Sequence, residues 1–134
     1  MNKRSNALDN RKLFNDFSAK LFDKLYDSFP VELDINIEDF PKLNTEGNSE
    51  IFSSTINFYS NEGFIRFKDK FYGVFTGVVL TSKGFSILNA TPPEKFSTKS
   101  NIGAELKAAL TVGKTAAIQD LISEILKFTT KLIE

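Results

Sequence analysis

The chain contains no cysteine and no histidine among its 134 residues. Without cysteine it has no disulfide, no thiolate nucleophile and no cysteine-based zinc or iron–sulfur site. Without histidine it lacks the usual general base of enzymes and the commonest ligand of transition metals. These two absences exclude a large part of enzyme chemistry. We therefore predict a protein that is not an enzyme and that needs neither a cofactor nor a metal.

Long apolar runs are missing as well. No window approaches the ~18 uncharged apolar residues that a membrane-spanning helix requires. The first residues, MNKRSNALDNRKLF, contain no apolar stretch of the kind found in signal peptides. From these patterns we expect a cytoplasmic protein with no membrane partner.

Phenylalanine is the abundant residue: the chain has 14 Phe but one Met and no Trp. A content of 41% hydrophobic and 25% charged residues is typical of a folded domain with a substantial core. The net charge is zero, but it is spread unevenly. Residues 31–62 carry a net −6 and residues 63–100 a net +4, so any charged partner would meet two different surfaces.

Apolar spacing and turn residues divide the chain into four parts. Residues 1–9 are polar, and we expect them to be flexible. Residues 10–91 form the main domain, residues 92–100 a linker that contains two prolines, and residues 101–134 a long C-terminal helix. The predicted elements of the main domain are a helix ending at Pro30, a strand over 31–38, a helix over 49–61 ended by Gly63, strands over 64–67 and 74–80 around a hairpin loop at 68–73, and a short helix capped by Thr81.

Two short motifs flank the predicted hairpin: Gly63-Phe64-Ile65 before it and Leu80-Thr81-Ser82-Lys83-Gly84 after it. Together with the order of helices and strands, they resemble the winged helix-turn-helix regulators of the MarR and PadR kind. The motif-bearing part covers residues 63–88. The resemblance implies an α+β fold, mostly α, in which a β-hairpin forms the wing. In such folds the helix before the hairpin enters the major groove of DNA and the wing touches the backbone.

This resemblance implies a non-enzymatic, DNA-associated module, in the manner of a transcriptional regulator. Basic side chains of the wing would neutralise phosphates, and small polar side chains of the preceding helix would face the bases. The residues expected to contact nucleic acid are Ser53, Ser54, Asn57, Arg66, Lys68, Lys70 and Lys83.

Charge favours an alternative function. The helix over 49–61 carries no Lys or Arg, and Glu50 near its start would repel DNA. The acidic stretch over 32–50 could instead bind a basic protein partner, which would make the chain an interaction or adaptor domain. A small ligand held in a Phe-lined pocket is a third hypothesis, but the sequence does not place that pocket.

Two short motifs resemble catalytic or cation-binding sites, but the residues around them do not meet the requirements of such sites. Gly113-Lys114-Thr115 resembles the end of a phosphate-binding loop, but Ala108 stands where that loop needs glycine, and no strand precedes it. Asp34, Asn36 and Glu38 have calcium-loop spacing, yet the alternating isoleucines are typical of a strand. The sequence contains no convincing pair of nucleophile and base.

The C-terminal segment carries small residues at intervals of four, and these let two helix backbones approach closely. They indicate either packing onto the chain's own domain or the interface of a homodimer, the commonest oligomer. We expect the chain to be a homodimer. The residues of this stripe are Leu106, Ala109, Leu110, Gly113, Ala117, Leu121, Ile125 and Phe128.

Overall fold

The computed structural model describes residues 7–97 and 99–129 of the chain. In chain order the helices and strands are α1 (Ala7–Ser28), β1 (Leu33–Asn36), a 3₁₀ turn (Ile37–Asp39), α2 (Ser49–Asn61), β2 (Ile65–Arg66), β3 (Asp69–Phe71), β4 (Val74–Leu80), α3 (Ser82–Leu88), α4 (Ile102–Val112) and α5 (Thr115–Leu126). The predicted class, α+β and mostly α with a small antiparallel sheet, is confirmed.

The sheet is built around β4, which pairs with every other strand and always antiparallel. On one side lies β1, and on the other β2 and β3 follow each other along the same edge. A bulge interrupts the pairing of β1 with β4, where Gly77 has a φ of +65°. The Gly77 amide donates to Asp34 Oδ1 at 3.2 Å, so the side chain of β1 satisfies a donor that the bulge removes from the ladder.

Helices α1 and α2 pack on one another and on the sheet through an aromatic core. The ring centroids of Phe22 and Tyr59 lie 4.6 Å apart, and Phe52 of α2 contacts Phe75 of β4 at 5.8 Å. Such edge and tilted contacts are favourable for aromatic rings beyond the burial of their surface. A hydrogen bond of 2.7 Å joins the Tyr59 hydroxyl to Ser18 Oγ inside this core. Burial raises the pKa of Tyr59 well above its ordinary value.

The two motifs that flank the hairpin contact each other. Thr81 Oγ1 donates to the Gly63 carbonyl at 2.6 Å and accepts from the Gly84 amide at 3.1 Å, so it caps α3 while holding the end of α2. The Phe64 carbonyl lies directly against Gly84, and a Cβ at that position would overlap it. Gly63 itself, with φ +83°, ends α2 in a Schellman arrangement with bonds from Phe64 N to Tyr59 O and from Gly63 N to Ser60 O. The motifs therefore fix how β4 and α3 attach to α2.

The predicted single C-terminal helix is divided into α4 and α5. Gly113 adopts a left-handed conformation with φ +70°, and the Lys114 amide bonds to the Ala109 carbonyl at 3.0 Å. This is a helix-ending arrangement that glycine favours, so the 3- and 4-residue spacing continues across a real break. Both helices pack against α1 and join the same apolar core.

Ion pairs tie these C-terminal helices to the rest of the fold. Lys107 of α4 lies 2.8 Å from Asp27 and 3.0 Å from Asp23, both on α1. Hydrogen bonds raise the pKa of Lys107; the bond to Asp27 has the larger effect and the bond to Asp23 the smaller one. Lys95, in the segment predicted as a linker, pairs with Asp120 of α5 at 2.7 Å. The linker therefore runs along the domain rather than away from it.

Smaller boundaries differ from the sequence prediction. Helix α1 begins at Ala7 instead of residue 10, so part of the segment expected to be flexible is helical, and residues 1–6 of it lie outside the described residues. The strand predicted over 31–38 shortens to β1, and its end turns into the 3₁₀ turn. The hairpin loop predicted at 68–73 contains β3. Residues 130–134 of the predicted C-terminal helix also lie outside the described residues.

Candidate functional site

A groove of about 580 Å³ separates the first turns of α2 from the tip of the β3–β4 hairpin. We call it the hairpin groove. Its volume falls in the range of ordinary ligand sites. The residues that line it are Ile37, Asn44, Ser49, Glu50, Phe52, Ser53, Ser54, Lys70, Phe71, Tyr72 and Gly73.

The hairpin side of the groove ends in two exposed aromatic residues. Phe71 closes β3 and is 63% exposed, and Tyr72, in the turn, is completely exposed. Gly73 supplies the positive φ of +75° that this tight turn requires. Its carbonyl accepts a hydrogen bond of 2.9 Å from the Ile37 amide. The tip is therefore anchored to the body by backbone, while its rings remain available to another molecule.

The opposite side is the polar face at the start of α2. Ser49, Glu50 and Ser54 are exposed, and Ser53 is half-buried. Phe52, one position before Ser53, is buried in the core. Asn48 occupies the N-cap position, but its side chain donates to the Lys42 carbonyl at 3.0 Å instead of capping the helix. This bond holds the 42–48 loop against the beginning of α2 and fixes that edge of the groove.

The structure brings together three of the residues predicted to contact nucleic acid. Ser53, Ser54 and Lys70 line the hairpin groove. Lys70 Nζ lies 5.8 Å from the centroid of the Phe75 ring. Asn57 is half-buried farther along α2, and Arg66 is exposed on β2; neither lines the groove.

Lys68 and Lys83 are held elsewhere. The stem of Lys68 passes over Gly77, where a Cβ would lie 2.9 Å from it, and its ammonium pairs with Glu32 at 3.0 Å. Lys83 donates to the Glu62 carbonyl at 3.0 Å and lies 4.9 Å from the centroid of the Phe64 ring. A cation at the end of a helix is favourable for that helix, so Lys83 has a structural role at α2. Lys68 and Lys83 therefore each have a partner within the fold.

One side of the groove is formed by an acidic segment of the chain. Residues 37–50 supply Ile37, Asn44, Ser49 and Glu50 to the lining. Glu50 is the acid that lines the groove itself, and the same segment carries three further exposed acids, Glu38, Asp39 and Glu46. These four acids are opposed by one lysine, for a net charge of −3 over residues 37–50. In the hairpin residues 69–73, one aspartate and one lysine cancel.

The stripe predicted for a homodimer lies largely inside the domain. Leu106, Ala109, Leu121 and Ile125 are buried against α1 and the rest of the core, so they are not available to a second copy. Leu110 and Ala117 are half-buried, and Gly113 and Phe128 are exposed; a dimer through these residues stays a prediction.

A Phe-lined pocket of the kind proposed for a small ligand is present between α1 and the loop that follows the 3₁₀ turn. Its volume is about 270 Å³, slightly below that of common ligand sites. Phe17, Phe40 and Leu43 form its apolar wall, and Lys20 and Lys42 stand at its rim. Its modest size makes it secondary to the hairpin groove.

The aromatic tip was not among the residues singled out from the sequence. The sequence nevertheless contained a signal, since Phe71 and Tyr72 lie in the segment predicted as a hairpin loop. Large aromatic side chains are unusual in such a loop and indicate either a buried loop or a binding surface. Only the burial of each side chain distinguishes these two cases.

Residues 7–97 and 99–129 contain no cluster of three or more acidic side chains that could hold a metal ion. No helix in this part of the chain combines the length and apolarity needed to cross a bilayer. Comparison with protein-family models, curated proteins and solved structures found no match to the chain.

Proposed function

We propose that this chain is a non-enzymatic protein-interaction module of winged-helix-like shape that binds a segment of a partner protein in the hairpin groove. The observation that carries the proposal is the pair of exposed rings, Phe71 and Tyr72, beside a groove of ligand size. Exposed aromatic residues next to a concave surface are typical of binding hot spots. Neither ring packs in the domain core, so the fold itself does not account for them.

The surroundings of the groove favour protein over DNA. Helix α2 carries no Lys or Arg, and Glu50 stands in its first turn. The segment before α2 contains only the 3₁₀ turn Ile37–Asp39 where a helix-turn-helix unit has a full helix that crosses the DNA backbone. Two of the four basic residues near the hairpin, Lys68 and Lys83, are engaged within the fold.

Copurification from the native cell tests this function. A defined protein should accompany the wild-type chain and be lost from Tyr72→Ala, because removing the exposed ring deletes the anchor without disturbing the core. Tyr26→Phe, which removes a hydroxyl bonded to Asn89 far from the hairpin, is a matched control and should retain the partner. A partner that binds Tyr72→Ala as well as wild type would refute the proposed site.

DNA binding is the second candidate function, supported by the position of Ser53, Ser54 and Lys70 on one groove. In this alternative the hairpin acts as the wing, and the start of α2 approaches the bases. Titration of a labelled duplex at low and moderate salt decides it, because phosphate contacts make affinity fall steeply with salt. Salt-dependent binding that Lys70→Ala weakens would establish the nucleic-acid function, and no binding at low salt would exclude it.

A further inference from the structure

The charge of the hairpin groove restricts the chemistry of its occupant. Glu50 lines the side formed by residues 37–50, and that segment carries four exposed acids in all against Lys42 alone. Lys70 is the positive group on the hairpin side, but its ammonium lies over the Phe75 ring and Asp69 precedes it. A negatively charged peptide would meet repulsion from this acidic segment, whereas a basic peptide would be attracted to it.

The aromatic tip adds a second, independent preference. Tyr72 is exposed over its whole surface, and Phe71 presents most of its ring. Among charged side chains, arginine in particular stacks on such rings, because its planar guanidinium is weakly hydrated and is attracted by the face of the ring. The same guanidinium forms two parallel hydrogen bonds with a carboxylate, such as that of Glu50 across the groove.

From this combination we infer that the occupant of the hairpin groove is an arginine-containing basic peptide segment of a partner protein. One guanidinium stacks on Tyr72 or Phe71, and neighbouring basic side chains pair with Glu46 and Glu50. Apolar side chains of the segment lie over Ile37 and the accessible part of Phe71. The inference rests on the proposed function and specifies the class of partner.

Fluorescence anisotropy with defined probes tests this inference. The first probe is a short fluorescein-labelled peptide of alternating arginine and leucine. The second has citrulline in place of each arginine, which keeps the shape and removes the charge. The third has glutamate in place of arginine. The wild-type chain should bind the arginine probe at moderate salt, and the other two at least tenfold more weakly.

Variants then locate the binding. Tyr72→Ala should weaken the arginine probe about fivefold, the equivalent of one cation–π contact of ~1 kcal/mol, while Tyr72→Phe should leave it nearly unchanged. The double variant Glu46→Lys and Glu50→Lys should weaken it more than tenfold. Glu94→Lys changes an exposed acid that does not line the groove and is the matched control for charge.

Several results would overturn the inference. These are equal binding of the citrulline probe, equal weakening by Glu94→Lys, or no binding of the arginine probe at all. If a cellular partner is still lost from Tyr72→Ala while the arginine probe fails to bind, the interaction module stands and its basic partner is wrong. Duplex DNA that binds through Tyr72 would assign the groove to nucleic acid instead.

Discussion

Phe71 and Phe75 belong to the two strands of one hairpin, yet their environments are opposite. Phe75 is buried among Phe52, Phe67 and the rest of the core, whereas Phe71 is largely exposed at the tip. The base of the hairpin is thus part of the domain interior, and its tip is part of the surface. A buried ring is explained by the packing it stabilises, but an exposed ring at a groove calls for an explanation outside the fold, and a binding partner provides one.

The largest expected difference between these regions is in stability. Phe52→Ala removes a fully buried ring that contacts Phe17, Phe40 and Phe75, and should lower the free energy of unfolding by about 4 kcal/mol. Phe71→Ala, the matched substitution at the tip, should change it by less than about 0.5 kcal/mol. Urea denaturation of both variants measures the two values. A cost of several kcal/mol for Phe71→Ala would show that the tip is structural.

A smaller but still large effect is expected where the two hairpin motifs meet. Gly84→Ala places a methyl group against the Phe64 carbonyl, and because backbone atoms must shift to admit it, we expect a loss of about 3 kcal/mol. Gly113→Ala is the control, since nothing lies near the added methyl group and only the left-handed conformation is strained, at about 1 kcal/mol. Thermal and urea unfolding should rank the two in this order. Equal costs would mean that the contact with Phe64 relaxes freely.

A smaller loss than that of Gly84→Ala is expected inside the aromatic core, at the single hydrogen bond between Tyr59 and Ser18. Tyr59→Phe should cost about 1 kcal/mol at neutral pH, because the ring stays and the buried Ser18 hydroxyl loses its partner.

The same substitution should change the response to alkaline pH. Burial raises the pKa of Tyr59 in the folded state, so the folded protein keeps a proton that the unfolded chain releases above about pH 10. Below that pH, the neutral Tyr59 phenol makes its full contribution to the free energy of unfolding. As the pH rises above it, this contribution decreases. Urea denaturation over this range should show a shallower decline for Tyr59→Phe than for wild type. Identical slopes would place the alkaline transition on other groups.

Local patterns predicted the helices well, since each depended on neighbouring residues. Helix α2 has the predicted bounds because apolar spacing, Glu50 in the first turn and Gly63 at the end all act within its own length. The division of the C-terminal segment was missed because Gly113 interrupts a spacing that α4 and α5 otherwise share. A glycine inside a periodic pattern is compatible with a continuing helix and with a helix end, and the left-handed conformation of Gly113 shows that it is a helix end here.

The candidate site was predicted only in part, for a different reason. Ser53, Ser54 and Lys70, which were predicted to contact nucleic acid, line one groove because a helix followed by a hairpin brings them to one end of the domain; their contact with nucleic acid stays a prediction. The sequence did not show that Lys70 lines the groove while Lys68 and Lys83 do not. The Lys68 side chain points toward Glu32, and the Lys83 side chain points toward the end of α2. Both partners lie far from these lysines along the chain.

The sequence by itself determined the class of the fold, the position of α2 and the absence of histidine and cysteine chemistry. These depend on composition and on periodicity, which act over a few neighbouring residues. Tertiary structure alone decided which of the 14 Phe are inside, which lysines pair within the fold, and that Glu50 and two exposed rings line one groove. Burial and pairing are properties of contacts between distant segments, and a linear pattern does not specify them.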